Sequence, residues 1–206
     1  MFARSATIHA RPGSIDAGIA YIRDEAMPTL MGTEGCIGLS LLVDRDSGRC
    51  ISTIAWQTRQ DREASTSQLQ PIRDRTSEIL GGAMTLDEWD IAVLHRDHTS
   101  RPGACVRVTW VRTEPDLIDR AVDVFRMGVL PRMEELDGFC SASLMLDREA
   151  GRGVSSVTFD SAEAMERSRG QARELRESGS REARVEVVEF AEFELALAHL
   201  RVPEMA

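Results

Sequence analysis

Residues 35–56 of this chain reappear at 138–159. The run Gly35-Cys36-Ile37-Gly38-Leu39-Ser40-Leu41-Leu42-Val43-Asp44-Arg45 aligns without a gap on Gly138-Phe139-Cys140-Ser141-Ala142-Ser143-Leu144-Met145-Leu146-Asp147-Arg148, at a constant offset of 103 residues. That is half of the 206-residue length. A repeat of half the chain means two copies of one module, because solenoids need shorter and more numerous units. Any fold must therefore use one local pattern twice, in modules of roughly 100 residues.

That pattern reads the same way along both copies. Residues 4–11 and 107–114 suit a first strand, the second more clearly through Val106, Val108, Trp110 and Val111. Pro12-Gly13 and Glu114-Pro115 end it, and Thr113-x-x-Asp116 has capping-box spacing. Ile15, Ile19, Ile22, Ala26 and Leu30, matched by Ile118, Val122, Phe125, Val129 and Met133, form the apolar stripe of a first helix. Pro28 and Pro131 should kink or stop its last turn. Two strands follow, at 36–43 and 48–57 in the first copy, around hairpin turns that end at Gly48 and Gly151. A second helix is expected over 59–80 and 162–181, carrying Ser65/Ser168, Gln68/Gln171 and Arg73/Arg176 in both copies. Asp90 to His95 and Glu194 to His199 supply the last strands.

Each copy is thus β-α-β-β-α-β, the order of a four-stranded antiparallel ferredoxin-like sheet with both helices on one face. The fold class expected is α+β, with modules at 1–96 and 104–202 and a linker of about 96–104. Strands two and three carry apolar residues at both parities. Ile37, Leu39, Leu41 and Val43 fall on one face, and Leu42, Ile54 and Trp56 are assigned to the other. Both faces need cover, and two modules stacked sheet on sheet would provide it as an α/β barrel within one chain.

Composition narrows the partners. Net charge is −9 and the arginines are scattered, which disfavours nucleic acid. No stretch has the roughly 18 apolar residues of a membrane span. The N-terminal residues lack the apolar core of a signal peptide, so a cytoplasmic protein is expected. The chain has no lysine, which excludes Schiff-base lysine chemistry and a P-loop lysine. Cys36, Cys50, Cys105 and Cys140 have neither zinc-ligand nor disulfide spacing and read as small buried side chains. His95, His98 and His199 form no ligand pattern, so no metal and no cofactor are expected. Ser-His-Asp order, a phosphate loop and H-E-x-x-H are absent.

At the level of element order, the Pro28…Gly35-Cys36-Ile37-Gly38 passage and the strand ending Ile54-Ala55-Trp56-Gln57, with its aromatic repeated as Phe159, the chain resembles the dimeric α/β-barrel superfamily. The particular group is the antibiotic-biosynthesis-monooxygenase-like (ABM) one, and the resemblance covers the chain twice, as a fused pair of modules. It implies a pocket between sheet and helices. It also implies one of several chemistries: cofactor-free oxygenation of polyphenolic or quinol-like compounds, quinol oxidation, or haem degradation. The haem degraders of that group are tied to an asparagine on strand one and a tryptophan and histidine on helix two. Here Thr7 and Trp110 hold the first position, and 60–80 and 162–181 contain neither Trp nor His.

On this resemblance, Thr7 and His9 share a strand face that would line the pocket, with His9 as general base. Trp110 and Arg112 are their counterparts, and Trp110 is expected to fill the second pocket, leaving the working one in the first half. Ser65, Gln68 and Gln171 would orient a ligand from helix two, and Tyr21 would donate from helix one. Three classes of function stay open. The chain is a monooxygenase of a small aromatic or quinol-like substrate, a small-ligand (even haem) binding protein, or a scaffold. It acts as a one-chain pseudo-dimer or as a further homodimer.

Overall fold

The computed structural model describes residues 1–200. The first copy contains β1 (Phe2–His9), α1 (Ile15–Tyr21), α2 (Met27–Met31), β2 (Cys36–Val43), β3 (Arg49–Trp56), α3 (Arg59–Gln68), α4 (Gln70–Leu80) and β4 (Met84–Arg96). The second contains β5 (Cys105–Arg112), α5 (Ile118–Val124), α6 (Leu130–Glu134), β6 (Phe139–Asp147), β7 (Arg152–Phe159), α7 (Ala162–Arg167), α8 (Arg169–Ala183) and β8 (Glu186–Leu200). β1-β3-β2 are hydrogen-bonded neighbours in one antiparallel run and β8-β5-β7-β6-β4 in another. The fold is α+β and ferredoxin-like in each half, as the repeat requires.

The chain divides into two compact units, and the cuts fall inside strands rather than in the 97–104 segment. Unit one is Met1–Trp89 with a C-terminal piece starting at Leu195, and unit two is Asp90–Glu194. The last strands are longer than the sequence suggested, because β4 begins at Met84 and β8 at Glu186. Residues 201 and 202, included in the expected second module, lie outside the described residues.

Several local expectations met a different solution. The helix under Pro28 does not stop. One π-turn, Ile22–Ala26, precedes it, with Met27 N–H donating to the Ile22 carbonyl; the second copy repeats this at Phe125–Val129, with Leu130 N–H to Phe125. The wider turn shifts the ladder just where proline lacks its N–H and would clash with the preceding turn. The Thr113 capping box does not form. Pro115–Leu117 is a 3₁₀ turn, and Thr113 Oγ1 donates to the Arg184 carbonyl instead. Helix two is broken in each copy, at Leu69 and Ser168. Arg45 and Arg148, on the two hairpin turns, reach back to Asp16 and Asp119 at 2.9 and 2.7 Å.

Strand register corrects the face assignment. Leu39 is opposite Ile54 and Cys36 is opposite Trp56 across β2–β3, so Ile54 and Trp56 share the helix-covered face with Leu39, Leu41 and Val43. Leu42 and its partner Ile51 occupy the reverse face and are buried there. Each unit keeps its own core between sheet and helices: Ile8, Ile22, Leu30, Leu39 and Trp56 in one, Val122, Phe125, Leu144, Val157 and Phe159 in the other.

Candidate functional site

Alternation along β1 decides what reaches the helix-covered face. Ile8 is in the core there, so Arg4 and Ala6 point the same way and Thr7 and His9 point to the reverse face. The second copy agrees: Arg107, Thr109 and Val111 line its cavity, whereas Trp110 and Arg112 do not. The sequence reading was one residue out of phase, and in a strand one residue reverses every side chain. His9 is exposed and paired in register with Arg49. Trp110 packs edge-on against Phe193, with ring centroids 6.4 Å apart, and does not fill the second cavity.

Helix two brings in different residues as well. Ser65 is buried, but its hydroxyl donates to the Arg62 carbonyl. Gln68 and Gln171 are exposed and line neither cavity. Tyr21 packs against the first core, and burial pushes its phenol pKa upward, but it does not line the cavity. None of the eight expected site residues therefore lines either cavity.

Two arginines that the sequence reading passed over do. Arg107 is 4% exposed. Its Nε and Nη2 donate to Glu192 Oε1 (3.0 and 2.9 Å), Nη2 also to the Met165 carbonyl (2.9 Å), and Nη1 to Ser168 Oγ (3.3 Å). Its guanidinium lies 5.2 Å from the Phe159 ring centroid. Arg4, 8% exposed, repeats the arrangement: Nε and Nη2 to Glu88 Oε1 (3.2 and 2.6 Å), Nη2 to Thr66 Oγ1 (3.1 Å). A clue was present. Arg4/Arg107 is the one identity between the two copies of strand one, and Glu88/Glu192 recur on the last strands. A buried arginine persists only with partners, so an arginine repeated within a strand pattern implies a built acceptor.

The cavities differ in size. Unit two holds one of about 120 Å³ and unit one a cavity of about 50 Å³. Equivalent positions give the reason: Leu69 becomes Ala172, Thr76 becomes Gly179 and Trp56 becomes Phe159. The expected asymmetry is thus reversed, with the roomier pocket in the second half. Its wall is mostly aliphatic, from Ile118, Val129, Leu144, Val157 and Leu175 among others, with Arg107, Arg152 and Arg176 as its charged residues. The Arg176 guanidinium lies 4.1 Å from the Phe190 ring centroid. Burial first, and the Arg107 charge second, push its pKa down. No hydrogen bond joins its guanidinium to the described residues, so its fork is available to an acceptor.

His95 and His98 are engaged outside the cavities. His95 Nε2 meets Glu134 Oε1 at 2.7 Å. His98 is held on both ring nitrogens, by Asp97 at 2.7 Å and Asp160 at 2.8 Å. Donor atoms of His98, Cys140 and Asp160 lie within 4.8 Å of one another, a grouping that the spacing did not reveal. Hydrogen bonds account for it: the Cys140 thiol donates to the His98 carbonyl, and the Asp97 and His98 N–H groups donate to the Cys140 carbonyl. The cluster clasps the 97–104 segment to β6. None of the four cysteines is in a disulfide, and burial pushes Cys50 up to about 11. No helix among the described residues is long and apolar enough to cross a membrane.

Comparison with known proteins follows the fold. No family model matches the sequence. Two Mycobacterium tuberculosis proteins, Rv2557 and Rv2558, both described as uncharacterized, are 56% and 55% identical over the full length of this chain and over 92% and 87% of theirs. Among solved structures, a Lactobacillus acidophilus protein assigned as a monooxygenase superposes with a TM-score of 0.71 at 9% identity, over 97% of this chain and 96% of its own. An anthrone oxidase-like protein gives 0.68 at 16% identity, over 100% and 95%. A Listeria monocytogenes ferredoxin-fold protein related to antibiotic biosynthesis monooxygenases gives 0.53 at 11%, over 95% of both chains. The fold is that of the ABM-like proteins.

Proposed function

We propose that this chain, which belongs to one family with the two Mycobacterium tuberculosis proteins it matches along its whole length, binds a small single-ring aromatic compound bearing an acidic oxygen in the cavity of its second unit. The observation that carries this reading is an aliphatic cavity of about 120 Å³ with the unbonded Arg176 fork at one end. A dry apolar cavity of about 150 Å³ takes benzene, so a cavity of about 120 Å³ sets a single ring as the upper limit. The ring would lie on Val157 and Leu175, and a carboxylate or phenolate oxygen would accept from Arg176.

Binding is favoured over turnover by what the wall lacks. Among the described residues lining this cavity there is no His, Asp, Glu, Cys or Tyr to take a proton. Cofactor-independent monooxygenation is the second reading, and the arginines of the lining, Arg107, Arg152 and Arg176, are the reason to keep it. They would hold a quinol as its electron-rich anion, with the proton leaving to solvent. A quinol and O₂ would then give a hydroxyquinone and water. One oxygen atom forms the new ring C–O bond, the other leaves as water, and the quinol supplies all the electrons.

The test uses benzoate and hydroquinone as probes of the full chain. Each should raise the melting temperature through mass action. Ala172→Leu, which restores the leucine of the other copy, should abolish the shift, and Arg176→Met should weaken benzoate binding about tenfold, as expected for one charge-assisted contact. No shift with any single-ring acid at millimolar concentration would remove the proposal. Oxygen uptake with hydroquinone separates the second reading from the first.

A further inference from the structure

Two buried N–H groups that line one cavity of the first unit have no acceptor. Trp56 is fully buried and Arg4 is 8% exposed, yet Trp56 Nε1 and Arg4 Nη1 have no hydrogen-bond partner among the described residues. Both residues line the same cavity of about 50 Å³, and the Arg4 guanidinium sits 5.8 Å from the Trp56 ring centroid. Buried donors without acceptors are rare, because each forfeits its hydration.

The same unit satisfies an equivalent donor elsewhere. Trp89 Nε1 donates to Ser5 Oγ at 2.8 Å. In the second copy those two positions are Phe193 and Val108, so donor and acceptor come and go together. Trp56 is likewise replaced, by Phe159, but no acceptor in the first copy accompanies its indole. At the position of Arg4 in the second copy every nitrogen of Arg107 is bonded. An acceptor for Trp56 and Arg4 is missing from the protein itself.

Charge states what kind of acceptor fits. Two buried arginines, Arg4 and Arg62, share the single carboxylate of Glu88, with Arg62 Nη2 at 2.7 Å from Oε2. Arg62 has no counterpart, because Met165 occupies its place. Arg73, on the cavity wall, adds a third positive charge. The remaining lining is apolar, including Leu30, Ile54 and Ile72. In this volume measure a water needs about 10–15 Å³ and benzene about 150 Å³, so the occupant has only a few heavy atoms.

We propose that the first unit binds a short-chain carboxylate, one oxygen accepting from Trp56 Nε1 and Arg4 Nη1 and the alkyl tail lying on Leu30 and Ile54. This site is separate from the second-unit cavity in residues, size and ligand class.

The test is a titration of the full-length protein with acetate and propionate, with chloride as the ionic-strength control, read in the indole N–H region of a ¹H–¹⁵N spectrum. Trp56→Phe identifies the Trp56 signal by deleting it. That signal should move saturably with carboxylate and not with chloride, while the Trp89 signal, already bonded to Ser5, stays in place. In calorimetry Trp56→Phe should weaken carboxylate binding about tenfold, and Arg4→Lys, which keeps the charge but loses the fork, should do at least as much. Benzoate binding to the second unit should be unaltered in Trp56→Phe, which keeps the two proposals separable. A Trp56 signal unmoved by carboxylate, which is the result for a cavity holding water alone, would overturn the inference. So would an equal response to chloride, or wild-type affinity in Trp56→Phe.

Discussion

Units one and two place the same arginine on the same strand and surround it in opposite ways. In unit two Arg107 is saturated by Glu192, Ser168 and Met165, and the space beside it is large and aliphatic. In unit one Arg4 keeps a bare nitrogen, the neighbouring tryptophan keeps a bare N–H, and the space is less than half as large. The difference teaches how a duplicated module diverges. The strand-borne ion pair is retained as scaffold, while wall positions such as Leu69/Ala172, Thr76/Gly179 and Trp56/Phe159 reset volume and polarity. One cavity offers room and the other offers donors.

The first way to break this comparison is to remove the arginines. Arg107→Leu strands Glu192, which is 21% exposed and whose remaining partner, Arg169, is itself 54% exposed. Breaking such a pair costs about 3–5 kcal/mol, and denaturant unfolding should show a loss in that range. Arg4→Leu should cost clearly less. Glu88 is 48% exposed and keeps the buried Arg62 at 2.7 Å, and the mutation also removes an unsatisfied nitrogen. Equal losses at the two sites would mean that the ion pairs are not differently supported.

Next is volume. Leu69→Ala gives unit one the residue of unit two at a position 2% exposed. Leucine deletions in cores cost about 2–5 kcal/mol, and the enlarged cavity should then accept a single-ring ligand that the wild-type unit one refuses. Recovery of stability by added benzene, read as a melting-temperature rise, would show that size alone separates the two pockets. If benzene gives no recovery, shape or polarity sets the limit.

The aromatic exchange is smaller. Phe159→Trp has cavity to grow into but buries an indole N–H in a fully buried site built for a phenyl ring, and should cost about 1–3 kcal/mol through that unsatisfied donor. Trp56→Phe trades lost packing against removal of an orphaned N–H, so its cost should be the lesser of the two in thermal melts. The reverse ranking would indicate that Trp56 has a partner within the folded protein.

Much of this architecture is legible in the sequence, and particular residues show where legibility ends. The repeat, the helix stripes and the hairpin glycines specify the modules because they are local patterns; Gly35, Gly48, Gly138 and Gly151 all adopt positive φ, where glycine is free of strain. Both pockets are located on the face opposite to the one expected, because the face of strand one was chosen by looking for histidine, with no register to fix it. Nothing adjacent to Arg4 in sequence reveals Glu88. The acceptor lies 84 positions away. Cavity volume was equally out of reach, because it depends on how Leu69, Thr76 and Trp56 meet across three elements.

The smallest expected effect concerns a feature only the second unit has. His98 clasps the 97–104 segment to Asp160, and in the first copy Gln57 and Ile37 occupy the positions of Asp160 and Cys140. The Asp160 hydrogen bond, followed by that of Asp97, raises the His98 pKa above its ordinary value of about 6.5. A raised pKa in the folded state means the charged form is the one stabilised. The contribution is therefore complete below about 6.5 and is lost as the pH rises through the higher folded value. All three side chains are at least one-third exposed, so solvent screens the interaction and the effect is modest. Melting temperatures of wild type and His98→Gln should differ at about pH 6 and converge by about pH 9, with hydrogen exchange at the Asp97 and His98 amides accelerating over the same range in wild type. A difference that persists at high pH would show that the clasp holds through neutral hydrogen bonds. It would then serve as a fixed tether of the segment to β6 and not as a pH-dependent one.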